Sequence, residues 1–177
     1  MKVLMHMCCA PCAVYPVETL QERGIEVSGL YYNPNIHPIE EFEKREENVD
    51  KLAHDKGFEV FYYPDYEEDL WQALADKDKE RCSMCYQKRM KKLFEVAKEK
   101  GFEAVTTSLL VSPYQDHDLI KKMGETYSKR YGIEFLYEDF RVGYREGQKK
   151  AKDYGLYCQR YCGCIVSLKE RIKEIIK

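Results

Sequence analysis

Residues 1–24, MKVLMHMCCAPCAVYPVETLQERG, are the most informative part of the sequence about the fold. Residues 2–7 form an apolar run typical of a buried strand, and residues 13–24 predict a helix that ends at a glycine. Between these two elements lie three thiols, those of Cys8, Cys9 and Cys12. A disulfide between adjacent cysteines would be strained, so the rest of the sequence must decide whether the thiols serve structure or chemistry.

The same alternation of strand and helix continues along the chain. The predicted strands are 2–7, 26–32, 58–63, 103–110 and 133–140, and the predicted helices are 13–24, 38–57, 66–77, 82–101, 117–131, 144–153 and from about 165 onward. Strands that alternate with helices predict a single α/β domain over residues 1–177 with a five-stranded parallel sheet. In the strand order 3-2-1-4-5, the loops after the first and fourth strands flank the reversal of strand order, where such sheets bind ligands.

Composition indicates a reducing compartment. No apolar run in the 177 residues approaches the roughly 18 residues of a membrane span, and the start is too short and too rich in cysteine for a signal peptide. We therefore expect a cytoplasmic protein with no membrane partner, whose eight cysteines bind metal or carry out redox chemistry. The 34% of charged residues and only three asparagines also fit a thermophile, in which intracellular disulfides occur.

Charge is unevenly distributed along the chain. Residues 18–70 carry 15 acidic and 5 basic side chains, whereas residues 79–101 carry 8 basic and 3 acidic ones, and residues 141–177 carry 10 basic and 4 acidic ones. The two basic segments also hold five of the eight cysteines. A basic surface beside a reactive site suggests an anionic substrate such as nucleic acid, although solvated helix faces would have the same composition.

The cysteines fall into three groups of different spacing. Cys82 and Cys85 form a CxxC pair, in which two intervening residues let both sulfurs face one zinc ion or one [4Fe–4S] cluster. The adjacent Cys8 and Cys9 favour the cluster, because neighbouring sulfurs can bind different irons but do not easily share one tetrahedral ion.

The third group lies near the end of the chain, in CQRYCGC. A disulfide between Cys162 and Cys164 would close a small strained ring that Gly163 permits, and such a bond is labile, as suits a redox pair. The alternative is that Cys158, Cys162 and Cys164 supply a second structural metal site.

Other polar and aromatic residues are weaker candidates. In the loop SPYQDHD after the fourth strand, Asp116 is a candidate proton donor or extra metal ligand, or else a helix N-cap, and His117 would point into the same crevice. We expect His6 to pack in the core, His37 to be solvated and His54 to lie on a charged helix face. Six tyrosines near the motifs are candidates for base stacking or proton donation, or else pack in the core: Tyr31, Tyr32, Tyr86, Tyr114, Tyr157 and Tyr161.

The motifs MHMCCAPC, CSMC, SPYQD and CQRYCGC, in this order, resemble the QueH-type epoxyqueuosine reductases from about residue 4 to residue 170. That family is similar in turn to the adenine-nucleotide α-hydrolases, which carry a phosphate-binding SGGxDS loop after the first strand. In this sequence CCAPC stands in that place, and neither GxGxxG nor GxxxxGK[ST] occurs, so the resemblance does not imply ATP use. The implied fold is a Rossmann-like sheet with a cysteine-bearing helical insert and C-terminal segment.

The resemblance implies a cobalamin-independent oxidoreductase that removes the epoxide oxygen of epoxyqueuosine at the wobble position of tRNA. It assigns a [4Fe–4S] cluster to Cys8, Cys9, Cys82 and Cys85. It assigns the redox-active pair to Cys162 and Cys164, and places Cys12 and Asp116 nearby, where they would hold one additional iron. The electron donor is not identified by the sequence.

Two other functions fit parts of the pattern. An iron–sulfur-dependent tRNA sulfur-transfer enzyme would use cysteines on the same fold, but it needs an ATP site that the sequence lacks. A zinc-stabilised RNA-binding module would use the cysteines structurally and would be a colourless protein without redox chemistry.

Overall fold

A computed structural model describes all residues, 1–177. Its centre is a five-stranded sheet in the order β3-β2-β1-β4-β5, and all four neighbouring pairs are parallel. The strands are β1 (Lys2–His6), β2 (Glu26–Tyr32), β3 (Val60–Tyr63), β4 (Ala104–Thr107) and β5 (Glu134–Phe135). The predicted fold class and strand order are therefore confirmed.

Seven α-helices cover both faces of the sheet. They are α1 (Ala10–Glu22), α2 (Ile39–Lys56), α3 (Asp69–Ala73), α4 (Asp78–Lys100), α5 (His117–Tyr131), α6 (Tyr144–Asp153) and α7 (Ile165–Ile176). Side chains of β1 alternate between two apolar layers because successive strand residues point to opposite faces. Met5 and Met7 pack with α1, α2 and α6, whereas Leu4 packs with α4 and α5. None of these helices has both the length and the apolar character needed to cross a membrane.

Two helices begin earlier than predicted, and both differences affect cysteines. Helix α1 begins at Ala10, since Pro11 suits the first helical turn, so Cys12 is helical rather than in a loop. Helix α4 begins at Asp78, which places the whole CxxC pair of Cys82 and Cys85 inside its first turns. The short helix predicted over residues 66–77 is limited to Asp69–Ala73.

The last two predicted strands are shorter than expected. The fourth ends at Thr107 because the Thr107 hydroxyl accepts a hydrogen bond from the Leu109 N–H at 3.2 Å and starts the 3-10 helix Ser108–Val111. The fifth covers only Glu134–Phe135, and a second 3-10 helix, Phe140–Gly143, follows it. These 3-10 helices bring Ser108 and the loop before α5 to the edge of the sheet where β1 ends.

Candidate active site

The first cysteine group lies at the carboxyl end of β1, next to the end of β4. The Cys8 N–H donates a hydrogen bond to the Ser108 hydroxyl at 3.2 Å, and the Cys8 Sγ lies 3.5 Å from the same oxygen. This contact joins the loops that follow β1 and β4, between which the strand order reverses. The site is thus at the position where parallel α/β sheets bind ligands, as the sequence predicts.

The thiols of Cys8, Cys9 and Cys12 form a compact buried triad. All three sulfurs lie within 4.8 Å of one another, which is close enough for them to bind a single metal ion. Cys9 is the extended N-cap residue of α1 and Cys12 lies in its first turn, so the start of the helix sets the spacing. From the C-terminal segment, the Gln159 amide nitrogen donates to the Cys9 Sγ at 2.9 Å.

The triad is arranged to hold one negative charge. Hydrogen bonds from the thiols of Cys12 and Cys9 hold the pKa of Cys8 well below its usual range. Those bonds raise the pKa of Cys12, and burial raises that of Cys9, because a second buried thiolate would be repelled by the first. A metal ion supplies the positive charge needed to ionise several adjacent thiols, so the donor set fits a metal better than it fits free thiols.

The CxxC pair lies on the first turns of α4. The Cys82 side chain is exposed, whereas Cys85 is buried against Trp71, Cys164 and Val166. The buried guanidinium of Arg89 donates to the Cys85 Sγ at 3.1 Å. Burial also raises the pKa of Cys85 to about 12, so this sulfur is a neutral thiol until a cation binds it.

The CGC sequence forms a turn immediately before α7. Cys162 is exposed and Cys164 is buried, and the Cys164 Sγ is the N-cap acceptor of the Ser167 N–H at 3.4 Å. Gly163 has a φ of 142°, a conformation that favours glycine, and a Cβ on it would lie 3.2 Å from a nitrogen of Arg45. The backbone here therefore requires glycine.

Two buried residues hold the main chain of the CGC turn. The guanidinium of Arg45 donates to the carbonyls of Tyr161 and Cys162, each at 3.0 Å. His37 donates its N–H to the Gly163 carbonyl at 2.8 Å, and its Nδ1 accepts the N–H of Ile165 at 2.9 Å. The turn is thus fixed through its backbone, which leaves both thiols available for chemistry.

One cavity of about 550 Å³ is lined by all three cysteine groups. Its walls include Cys8 and Cys12 from the triad, Cys82 from the CxxC pair, and both cysteines of the CGC turn. Cys85 lies next to it, in a smaller pocket that Cys82, Cys162 and Cys164 share. Among the three groups, the sulfurs of the triad lie within 4.8 Å of one another. The CxxC pair and the CGC turn are far apart in the sequence, but their cysteines line the same smaller pocket.

The remaining candidates Asp116, His117 and Cys158 each form a local hydrogen bond or contact with the backbone. The Asp116 carboxylate accepts the Leu119 N–H at 3.0 Å and caps α5, which is the alternative role that the sequence left open. The neighbouring His117 is buried, with its Nε2 3.1 Å from the Ser112 carbonyl. The half-buried Cys158 is absent from the cavity lining, and its thiol faces the Leu156 carbonyl at 3.7 Å.

The predictions for the histidines are partly wrong. His6 is fully buried, as expected, and burial lowers its pKa to about 4, so the ring is neutral. His54 is exposed on α2, as expected. His37 is not solvated but fully buried, because Tyr66 and Trp71 pack edge-on against its ring and the N–H of Ile165 donates a hydrogen bond to its Nδ1. Among the six candidate tyrosines only Tyr114 is exposed; Tyr157 and Tyr161 are half-buried and the others are buried.

Four residues at the site were not predicted from the sequence: Arg45, Arg89, Ser108 and Gln159. Arg45 and Arg89 lie in charged helices among many similar side chains, so nothing local separates them from solvated neighbours. What distinguishes them is burial: their side chains are only 1% and 3% exposed, which the structure shows and the sequence does not. A buried guanidinium is uncommon enough that both residues indicate a special requirement at this site.

The chain is thus a doubly wound α/β protein with a thiol-lined cavity and a cysteine triad that can hold a metal. Residues 3–170 match the family model described as epoxyqueuosine reductase QueH. The chain belongs to this family, which confirms the resemblance seen in its motifs.

Curated relatives agree with the assignment, and a solved structure shares the fold. The epoxyqueuosine reductase QueH of Dehalococcoides mccartyi is 36% identical over 171 residues, which cover 96% of this chain and 94% of the relative. The QueH of Thermotoga maritima is 35% identical over 179 residues, covering 96% and 91%. A predicted subunit of tRNA methyltransferase from Methanocaldococcus jannaschii shares the fold, with a TM-score of 0.56 and 15% identity over 86% of this chain and 76% of that one.

Proposed function

We propose that this protein reduces epoxyqueuosine in tRNA to queuosine, with its redox chemistry in the thiol-lined cavity. The observation that carries the proposal is that a chain of the QueH family brings three separate cysteine groups to one cavity at the switch point of the sheet. The reaction is an oxidoreduction in which the epoxide oxygen leaves as water and a carbon–carbon double bond forms. It takes two electrons and two protons.

The proposed cofactor is a [4Fe–4S] cluster ligated by Cys8, Cys9, Cys82 and Cys85. The surroundings of these sulfurs support the fit. Arg89 is 3% exposed and forms no ion pair with a carboxylate, and its guanidinium donates to the Cys85 sulfur at 3.1 Å. A buried cation of this kind is costly unless an anion faces it, and four thiolates around a cubane cluster carry net negative charge.

We propose that Cys12 holds an additional iron, with Asp116 as the further ligand that the family resemblance assigns; Asp116 directly follows Gln115, which lines the cavity together with Cys12. The Asp116 Oδ1 is occupied by the helix cap, whereas its Oδ2 makes no hydrogen bond and stays available as a ligand or proton donor. When bound, the iron and the cluster would supply single-electron transfer and would polarise the departing oxygen.

Cys162 and Cys164 are proposed to supply the two electrons. When the dithiol is oxidised to a disulfide, two electrons and two protons become available, and the epoxide consumes both with release of one water. The exposed Cys162 meets the substrate side of the cavity, while the hydrogen bond from Ser167 orients Cys164. Arg45 and His37 hold the backbone of the CGC turn in place while the dithiol is oxidised to the disulfide. An external electron donor then restores the dithiol.

The proposed substrate is tRNA that carries epoxyqueuosine at the wobble position, and the cytoplasm is the proposed compartment because the substrate is tRNA. Arg160 is exposed in the cavity wall and provides positive charge toward a phosphate backbone. Binding is therefore expected to weaken as salt concentration rises.

Anaerobic purification tests the function directly. We expect a brown protein with about four irons and four sulfides per chain, or more iron if the additional site is filled, that converts epoxyqueuosine in tRNA to queuosine. A colourless protein that binds zinc after reconstitution and leaves epoxyqueuosine unchanged would overturn the proposal and favour a zinc-stabilised RNA-binding module.

Arg89→Met tests the electrostatic match between the chain and the cluster. Without a bound anion, Arg89 is an unpaired buried charge, so we expect the metal-free variant to be at least as stable to urea as the wild-type apoprotein. In the protein with its cluster bound, loss of the positive charge of Arg89 makes reduction of the cluster harder. We expect the cluster potential to fall by about 60 mV, roughly 1.4 kcal/mol for one electron, measured by redox titration.

The control for this variant is Arg23→Met, because Arg23 is exposed at the surface in a pair with Glu138. It should leave the cluster potential unchanged. A large loss of stability in Arg89→Met apoprotein, together with an unchanged potential, would show that Arg89 serves packing alone.

A further inference from the structure

We propose that Tyr114 and Gln115 form the subsite for the modified base, with the Tyr114 ring as its stacking surface and the Gln115 amide as a polar contact. The ligand class is a 7-deazapurine nucleotide turned out of an RNA loop. The inference rests on the proposed function, because it requires an RNA nucleotide to enter the cavity.

Tyr114 has an exposed aromatic ring that is not part of the packed core. Its side chain is 83% exposed, more than that of any other tyrosine, and it lines the cavity that holds the cysteines. Its N–H donates to the Ser112 hydroxyl at 3.2 Å, which fixes the turn that presents the ring. The ring meets Tyr144 edge-on, with centroids 6.2 Å apart at 80°, so one face of Tyr114 is left for a ligand.

The neighbouring Gln115 is oriented before any ligand arrives. Its amide oxygen accepts a hydrogen bond from the Tyr86 hydroxyl at 2.6 Å. The Tyr86 oxygen is itself fixed because it accepts the Asp116 N–H at 3.1 Å. The amide NH₂ of Gln115 is therefore the group left to donate to a substrate oxygen, and Gln115 is part of the cavity wall.

Charge in the cavity suits a nucleotide. Three arginines line it, against a single carboxylate, that of Glu170. Arg81 is paired with Asp78, but Arg160 is exposed and forms no ion pair, so it can meet a phosphate. The volume of about 550 Å³ is within the range of small-molecule sites and accommodates one nucleotide rather than a helical stem.

Single-stranded RNA loops are recognised by stacking of splayed bases on aromatic rings. A base stacked on Tyr114 at the cavity mouth directs its substituent toward the walls, where Cys8, Cys82 and Cys162 are found. One cavity thus holds both the nucleotide and the reducing thiols. This gives a reason for the exposed tyrosine in its lining.

A double-mutant cycle between Tyr114 and the wobble base tests the subsite. The probes are two anticodon stem-loop RNAs, one with queuosine and one with an abasic wobble nucleotide, and the readout is Kd measured by fluorescence anisotropy with the loaded protein. We expect Tyr114→Leu to weaken binding of the queuosine RNA about tenfold and to leave binding of the abasic RNA unchanged. Tyr114→Phe should bind as the wild type does, because the ring is kept.

The matched control is Tyr62→Leu, since Tyr62 is an exposed tyrosine outside the cavity, bonded to Asp50. Equal weakening of both RNAs by Tyr114→Leu, or no weakening of either, would overturn the subsite. Gln115→Leu should raise KM for the tRNA more than it lowers kcat, and unchanged kinetics would remove Gln115 from the subsite.

Failure of the subsite and failure of the proposed function are distinguishable. If the wild type reduces epoxyqueuosine and Tyr114→Leu does so with unchanged KM, the function stands and the subsite is wrong. If the wild type has no reductase activity but the binding cycle still shows coupling, the subsite stands and the reaction must be reassigned.

Discussion

Cys162→Ser is expected to abolish turnover while the protein keeps its full iron and sulfide content. A serine cannot form the disulfide with Cys164, so the two electrons for the epoxide are no longer available. Because the Cys162 side chain is exposed and the turn is held through its backbone by Arg45, the fold should be unaffected. The loss should be about a thousandfold or more, measured as queuosine formed in tRNA by prereduced enzyme in a single turnover.

Cys158→Ser is the control for this experiment, since Cys158 is a half-buried cysteine of the same segment and does not line the cavity. It should retain both cluster and turnover. If Cys162→Ser instead loses its iron, Cys162 is a ligand and the division between ligands and redox pair is wrong. If it turns over normally without external reductant, the pair is not the electron source.

Cys85→Ala is expected to lose the cluster, and with it both the absorption near about 400 nm and all activity. Removal of this buried sulfur takes away one proposed ligand and also one of the two acceptors of Arg89, whose buried charge then keeps only the Cys85 carbonyl at 3.2 Å. Iron and sulfide analysis after anaerobic reconstitution should show at most a partial, unstable cluster. Circular dichroism is needed alongside, because retention of the α/β fold separates loss of a ligand from unfolding.

The control for the ligand experiment is Cys158→Ala, which removes a cysteine of the same chain without touching the cavity. It should bind the same iron and sulfide as the wild type. Full cluster occupancy in Cys85→Ala would contradict the ligand set and would point to the triad of Cys8, Cys9 and Cys12 as the principal metal site, because that triad is already compact.

The prediction for His37 fails for a reason that extends to other residues. A histidine beside a proline in a loop is usually solvated, and nothing in its neighbourhood indicates otherwise. Its ring packs against Tyr66 and Trp71, and its hydrogen bonds reach Gly163 and Ile165, which are more than 120 positions away in the chain. The role of Arg45 is not predicted for the same reason, since its partners are the distant carbonyls of Tyr161 and Cys162.

Features that depend on near neighbours in the chain were predictable from the sequence alone. Apolar periodicity and glycine helix ends were enough for the parallel sheet and its helices, and the spacing of the motifs was enough for the family. The CGC turn also follows locally, because only glycine readily adopts the backbone conformation at position 163.

Which of these local features meet in space follows from the tertiary packing alone. The packing brings Gln159 to the triad at the start of α1, places Cys164 against Cys85, and directs the buried guanidinium of Arg89 to the Cys85 sulfur. It also makes Asp116 a helix cap and leaves Tyr114 as an exposed ring in the cavity lining. The physical reason is that local patterns report backbone preference, whereas burial and charge pairing are set by long-range packing of segments that are distant in the chain.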